Sequence, residues 1–206
     1  MVVNARKHRS EPLPPDDRRR AIVDAVIPLL LTEGSAVTSR QIAEAAGIAE
    51  GTIFRVFSDK PSVILEAIKV SMDPEPVRDA LAQIPESTSM EVQLQEATRV
   101  LLDRTDRVAT LIGILHTVKT PGTDRPVGTR QFVTESNTVI LAALTDLLER
   151  HRSRLRIAPV EAAVAFRGFV FANAHPMVAA DERATPEEIV AVLLNGIATP
   201  GGEATV

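Results

Sequence analysis

Thr38, Ser39 and Arg40, then Gly51, Thr52, Phe54 and Arg55, then Lys60, gather hydroxyls, guanidinium groups and an ammonium on one short stretch of chain. These groups donate hydrogen bonds or carry positive charge, and the glycine lets backbone come close. Their chemical complement is double-stranded DNA, which offers phosphate charge and acceptor edges in its major groove. Arg40 suits a two-pronged contact to guanine, worth roughly 1–3 kcal/mol of discrimination. Thr38 and Lys60 suit phosphates, which set register rather than sequence. Glu50 could accept from cytosine or serve its own helix N-terminus.

The elements that must hold these groups are legible nearby. Thr38 and Gln41 have the spacing of a capping box, in which a hydroxyl and a side chain three residues on satisfy free amides reciprocally. Ile42, Ala43 and Ala46 then fall on one side of a helix, and Gly47 can take the left-handed conformation that ends it. A second short helix begins near Ala49 and buries Ile53 and Phe57, one turn apart, leaving Phe54 and Arg55 outward. Asp59 caps a third helix, with Pro61 tolerated in its first turn.

Thr38, Ile42, Ala43, Ala46, Gly47, Ile48, Ala49, Gly51, Thr52, Ile53, Phe54, Phe57, Asp59 and Lys60 together resemble the DNA-binding motif of the TetR family of transcriptional regulators. The resemblance implies a helix-turn-helix head, a helix joining that head to a body, and a body that dimerises through its last two helices. Three positions depart from the family's usual residues. Ala49 replaces a frequent Ser and so removes a side-chain cap worth about 1 kcal/mol. Phe54 stands where Tyr is common and lacks a hydroxyl for a phosphate. Val56 stands where His is frequent.

The 206 residues suit one or two domains, and 45% of them are apolar. With six Phe and no Trp or Tyr the core must be aliphatic, and the helical periodicity predicts an all-α protein. There is no Cys, which excludes disulfides and thiolate chemistry and fits a reducing cytoplasm. No apolar run is long enough to span a bilayer, so no membrane partner is expected. The net charge of −4 is unevenly spread: residues 1–70 carry ten Lys or Arg and nine Asp or Glu, the remainder thirteen and eighteen. The patch that faces a duplex matters more than the total.

Read in order, residues 1–14 form a disordered basic tail, 15–72 the DNA-binding head and 73–206 a helical ligand-binding and dimerisation body, with the break at Asp73–Pro76. Ile22, Ala25, Val26, Leu29 and Leu30 give the first helix, 16–33, one apolar face. Pro28 should bend it over the motif. Further helices are expected at 59–72, 76–84, 89–104, 106–117, 128–152, 159–180 and 186–198. Arg150, His151, Arg152, Arg154 and Arg156 would stabilise a helix C-terminus. Residues 162–174 and 189–198 are apolar nearly all round, so a partner must cover one side of each; a two-fold homodimer satisfies that.

For a small-molecule effector, His116, Phe132, Asn137, Phe169 and Asn173 are the candidates, as polar or aromatic groups set in apolar helices. No metal-ligand spacing, phosphate-cradling loop or nucleophile elbow is present, so neither cofactor, metal nor enzymatic activity is expected. The reading is a ligand-responsive transcriptional regulator, most simply a repressor. It would bind a palindromic operator as a dimer and be released by an apolar small molecule. The alternative is a dimeric helical carrier of small molecules whose head has no DNA function.

Overall fold

The computed structural model describes residues 14–118, 129–174 and 183–195, apart from the side chains of 15, 16 and 129–132. The expected N-terminal tail and the end of the chain lie outside the described residues. Nine α-helices and no strand occur among those described: α1 Pro15–Glu33, α2 Ser39–Ala45, α3 Glu50–Val56, α4 Lys60–Ser71, α5 Glu75–Ala82, α6 Met90–Thr117, α7 Thr129–Glu149, α8 Pro159–Ala174 and α9 Pro186–Asn195. None is long and apolar enough to cross a membrane.

The first four helices close around Ile22, Val26, Leu30, Ile42, Ile53, Phe57, Ile64 and Ile68, all buried. Burial of side chains of this size stabilises by about 1.5–3 kcal/mol each, so three short helices can hold a fixed geometry that none would keep alone. Leu111 and Ile114 of α6 complete the same core. The head is therefore sealed by the body, and apolar packing runs straight past the proline-rich break at 73–76.

Helix α6 is one rod of 28 residues, about 42 Å long, where the sequence suggested two helices. The interruption in its apolar periodicity is the charged run 103–107. That run sits where the helix passes from the body core, around Leu94, Ala97 and Leu101, to the head core, around Leu111. Its side chains are all engaged: Arg107 pairs with Asp103 one turn back, Thr105 bonds the Leu101 carbonyl at 2.8 Å, and Arg104 and Asp106 reach Met72 and Arg183 on other parts of the chain. The helix has no reason to stop there.

Pro28 also differs from expectation. It lies inside α1 but on the exposed face, so the hydrogen bond it removes opens toward solvent and not over the motif. The Thr32 hydroxyl bonds the Pro28 carbonyl at 3.0 Å on that outer side.

In the body, α7 packs on α5 and α8, and α8 on α6 and α9. Arg150 does not cap α7. Its Nη1 donates to the Ile84 carbonyl at 3.0 Å, tying the end of α7 to the turn after α5. His151 beside it bonds the buried Gln93 side chain at 3.0 Å.

Candidate nucleic-acid interface and ligand cavity

The turn between α2 and α3 is built as its residues dictate. The Gln41 amide donates to the Thr38 hydroxyl at 3.2 Å, and the Thr38 amide to the Gln41 side-chain oxygen at 2.8 Å, completing the capping box. Gly47 ends α2 at φ 65°, a conformation that costs an L side chain about 1–2 kcal/mol. Helix α3 starts at Ala49 without a side-chain cap. Asp59 caps α4 through the Ser62 amide at 2.8 Å, and the Ser62 hydroxyl and amide hold the Asp59 carboxyl below its ordinary value.

Ile53 and Phe57 anchor α3 to the core, both 2% exposed, while Phe54 stands 53% exposed on the opposite side. Glu50, Gly51, Arg55, Thr38 and Arg40 are also exposed; Ser39, Thr52 and Lys60 are half-buried. The candidate residues thus share the outer side of two adjacent short helices and the first turn of α4.

The charges of the head are not equivalent. Arg19 and Lys69 lie against Glu66, and Arg20 against Asp24. The Lys60 ammonium donates to the Ser35 carbonyl, so part of its bonding capacity clamps the turn before α2. Arg40 and Arg55 have neither an ion pair nor a hydrogen bond among the described residues. The two free guanidinium groups are those on the helices of the motif.

Sequence reasoning missed what braces α3 from behind. The Arg19 guanidinium lies over the Phe57 ring, and its Nη1 donates to the Val56 carbonyl. It satisfies one of the carbonyls that the end of a short helix leaves open. These partners are 37 residues apart, so no local pattern announces them.

A cavity of about 740 Å³ lies between α6, α7 and α8. His116 and Asn137 line it. Phe169 does not: it packs against the body core. Asn173 does not either; its amide turns back to the Phe169 carbonyl at 2.8 Å, as an i−4 bond within the helix. The Phe132 side chain lies outside the described residues. The cavity wall also holds Arg104, Ser136 and Arg167, which the apolar periodicity gave no reason to select.

The outer face of α8 shows Val160 and Val164, about half exposed, opposite its buried face of Ala163, Phe166 and Val170. Val192 and Leu194 of α9 are exposed as well. Both helices are apolar on two sides.

Residues 22–67 match the family model described as bacterial regulatory proteins, tetR family. A search of the curated proteins finds no match. Among solved structures, one from Mesorhizobium loti described as a TetR-family transcriptional regulator is similar at 17% identity and a TM-score of 0.60, covering 89% of this chain and 96% of the other. A TetR transcriptional regulator from Streptomyces coelicolor is similar at 22% identity and a TM-score of 0.56, covering 87% and 97%. A complex of SmeT with triclosan is similar at 18% identity and a TM-score of 0.50, covering 87% and 88%. At these identities the likeness is one of fold.

Proposed function

We propose that the chain, whose residues 22–67 match the TetR family model, is a ligand-responsive repressor of that kind that grips a near-palindromic operator as a homodimer. The observation that carries this reading is the pair of unpartnered guanidinium groups, Arg40 and Arg55, on the two helices of the motif. Arg19, Arg20, Lys60 and Lys69 of the head are matched to carboxylates or carbonyls. Arg40 and Arg55 are free to read bases or hold phosphates, with Thr38, Ser39, Gly51, Thr52, Phe54 and Lys60 around them.

The exposed apolar faces of α8 and α9 support the dimer. Two copies joined there would bury Val160, Val164, Val192 and Leu194 and present two α3 helices to one face of the duplex. Half-sites would then lie about one helical turn apart, roughly 34–36 Å.

The cavity beside α6 supports the effector. Helix α6 lines the cavity and also supplies Leu111 and Ile114 to the head core, so one rigid element touches both. An effector that favours one setting of α6 would shift the spacing of the heads. The coupling is reciprocal and typically amounts to about 1–3 kcal/mol. The SmeT–triclosan complex supports a small apolar molecule in a body of this fold. Such a regulator would work in the cytoplasm, where it meets DNA.

A carrier with no DNA function would need the cavity but would leave Arg40 and Arg55 unexplained. Selection of bound duplexes from genomic fragments separates the two. Enrichment of one near-palindrome supports the repressor; recovery of no enriched sequence at low salt contradicts it.

A further inference from the structure

The cavity wall holds cations and, among the described residues, no acid. Arg104 and Arg167 line it with an otherwise apolar or polar set that includes Ser136, Asn137 and His116. Neither arginine has an ion-pair partner among the described residues. The nearby α6 acids are engaged: Asp106 takes both prongs of Arg183, at 2.6 and 2.7 Å, and Asp103 pairs with Arg107. Arg167 spends one donor on the Asn137 carbonyl at 2.9 Å.

Arg104 is the more unusual of the two. Its Nη2 donates to the Met72 carbonyl at 2.8 Å and to the Ser136 hydroxyl at 2.5 Å. Its Nε is buried with no hydrogen-bond partner. Burial disfavours the charged guanidinium, and only the field of Asp73 opposes that. A buried arginine without a paired carboxylate is costly to keep, because desolvation is not repaid. Met72 is the C-cap of α4, the helix that leads out of the head. The same guanidinium therefore faces the cavity and holds the end of that helix.

We propose that the effector is an amphipathic anion, an apolar body with one acidic head, and that its head pairs with Arg104 in competition with the Met72 carbonyl. This rests on the reading of the cavity as the effector site and adds its ligand class and its relay. The apolar walls take the body of the ligand. The charge-assisted bond supplies both orientation and the differential affinity that a switch requires. Losing the guanidinium bond frees the α4 C-terminus, which is the direct route from cavity to head.

The test measures binding of decanoate, 1-decanol and decyltrimethylammonium to the full chain without DNA. Decanoate is expected to bind at least about tenfold tighter than either. Arg104→Gln should bring decanoate down to the level of decanol and leave decanol unchanged. Ser136→Ala removes a competing acceptor and should tighten decanoate a few-fold, which keeps the claim testable if Arg104→Gln does not fold. Equal binding of decanol, tighter binding of the cation, or an anion preference that survives Arg104→Gln would overturn it. Duplex binding is then measured separately with and without decanoate. A chain that prefers the anion but binds no duplex refutes the repressor reading and leaves the ligand class standing; the reverse pattern refutes the ligand class alone.

Discussion

The Arg19 guanidinium lies 4.4 Å above the centre of the Phe57 ring while its Nη1 reaches the Val56 carbonyl at 3.1 Å. Helix α1 thereby grips the last turn of α3. Phe57 is pinned between the aliphatic core and a cation, an arrangement worth about 0.5–2 kcal/mol beyond area burial. Arg19→Ala should cost about 1–2 kcal/mol in chemical denaturation, the carbonyl bond included. It should also weaken duplex binding although Arg19 is not among the proposed contact residues. A variant that matches the parent in both stability and affinity would show that α3 needs no such brace.

Ala49 occupies an N-cap position in extended backbone, φ −72° and ψ 141°, with no side chain to satisfy the first amides of α3. Ala49→Ser adds that acceptor without changing the backbone requirement. It should stabilise the chain by about 1 kcal/mol, read as a later midpoint in urea at unchanged slope.

His151 donates from Nε2 to the Gln93 Oε1, whose amide in turn donates to the Thr88 carbonyl at 2.9 Å. Burial, then the charges of Arg154 and Arg150, hold its imidazole below its ordinary value. The unfolded chain then takes up a proton at higher pH than the folded chain does. Stability from this site is full above the unfolded value, about 6.5, and is lost as pH falls through it toward the folded value. Unfolding free energies of the parent and His151→Gln, compared between pH 7.5 and 5, should diverge in that direction, with the variant losing less.

Several features of the head were legible because their causes are local. The Thr38–Gln41 box, the Gly47 stop and the Asp59 cap each lie within three or four residues of what they satisfy, and the structure has all three. Arg19 and Arg104 were not legible, since their acceptors lie 37 and 32 residues away. The charged run 103–107 read as a break because periodicity reports which core a helix faces, and α6 changes cores there. Among the cavity candidates, His116 and Asn137 reach the wall. Phe169 and Asn173 do not, since sequence shows that a side chain interrupts an apolar run but not which way it turns.

The apolar outer face of α8 gives the dimer its own check. Val164 is about half exposed, so a lysine there meets water in a single chain and an opposing apolar face in a pair. Val164→Lys should leave the thermal midpoint at low concentration nearly unchanged and shift the sedimenting species from two chains to one. A variant that sediments as two chains would place the interface elsewhere.

The claim on which the account turns is that Arg40 and Arg55 meet the duplex. Its most direct measurement is the affinity for the selected duplex across a salt series, for the parent and for Arg40→Ala and Arg55→Ala. For the parent, log affinity should fall linearly with log salt, with a slope of about −0.9 per phosphate neutralised. A variant that loses a base contact should bind roughly tenfold or more weakly, at a cost of about 1–3 kcal/mol, and one that loses a phosphate contact should show a slope shallower by about one. Affinities and slopes in both variants indistinguishable from those of the parent would contradict the account.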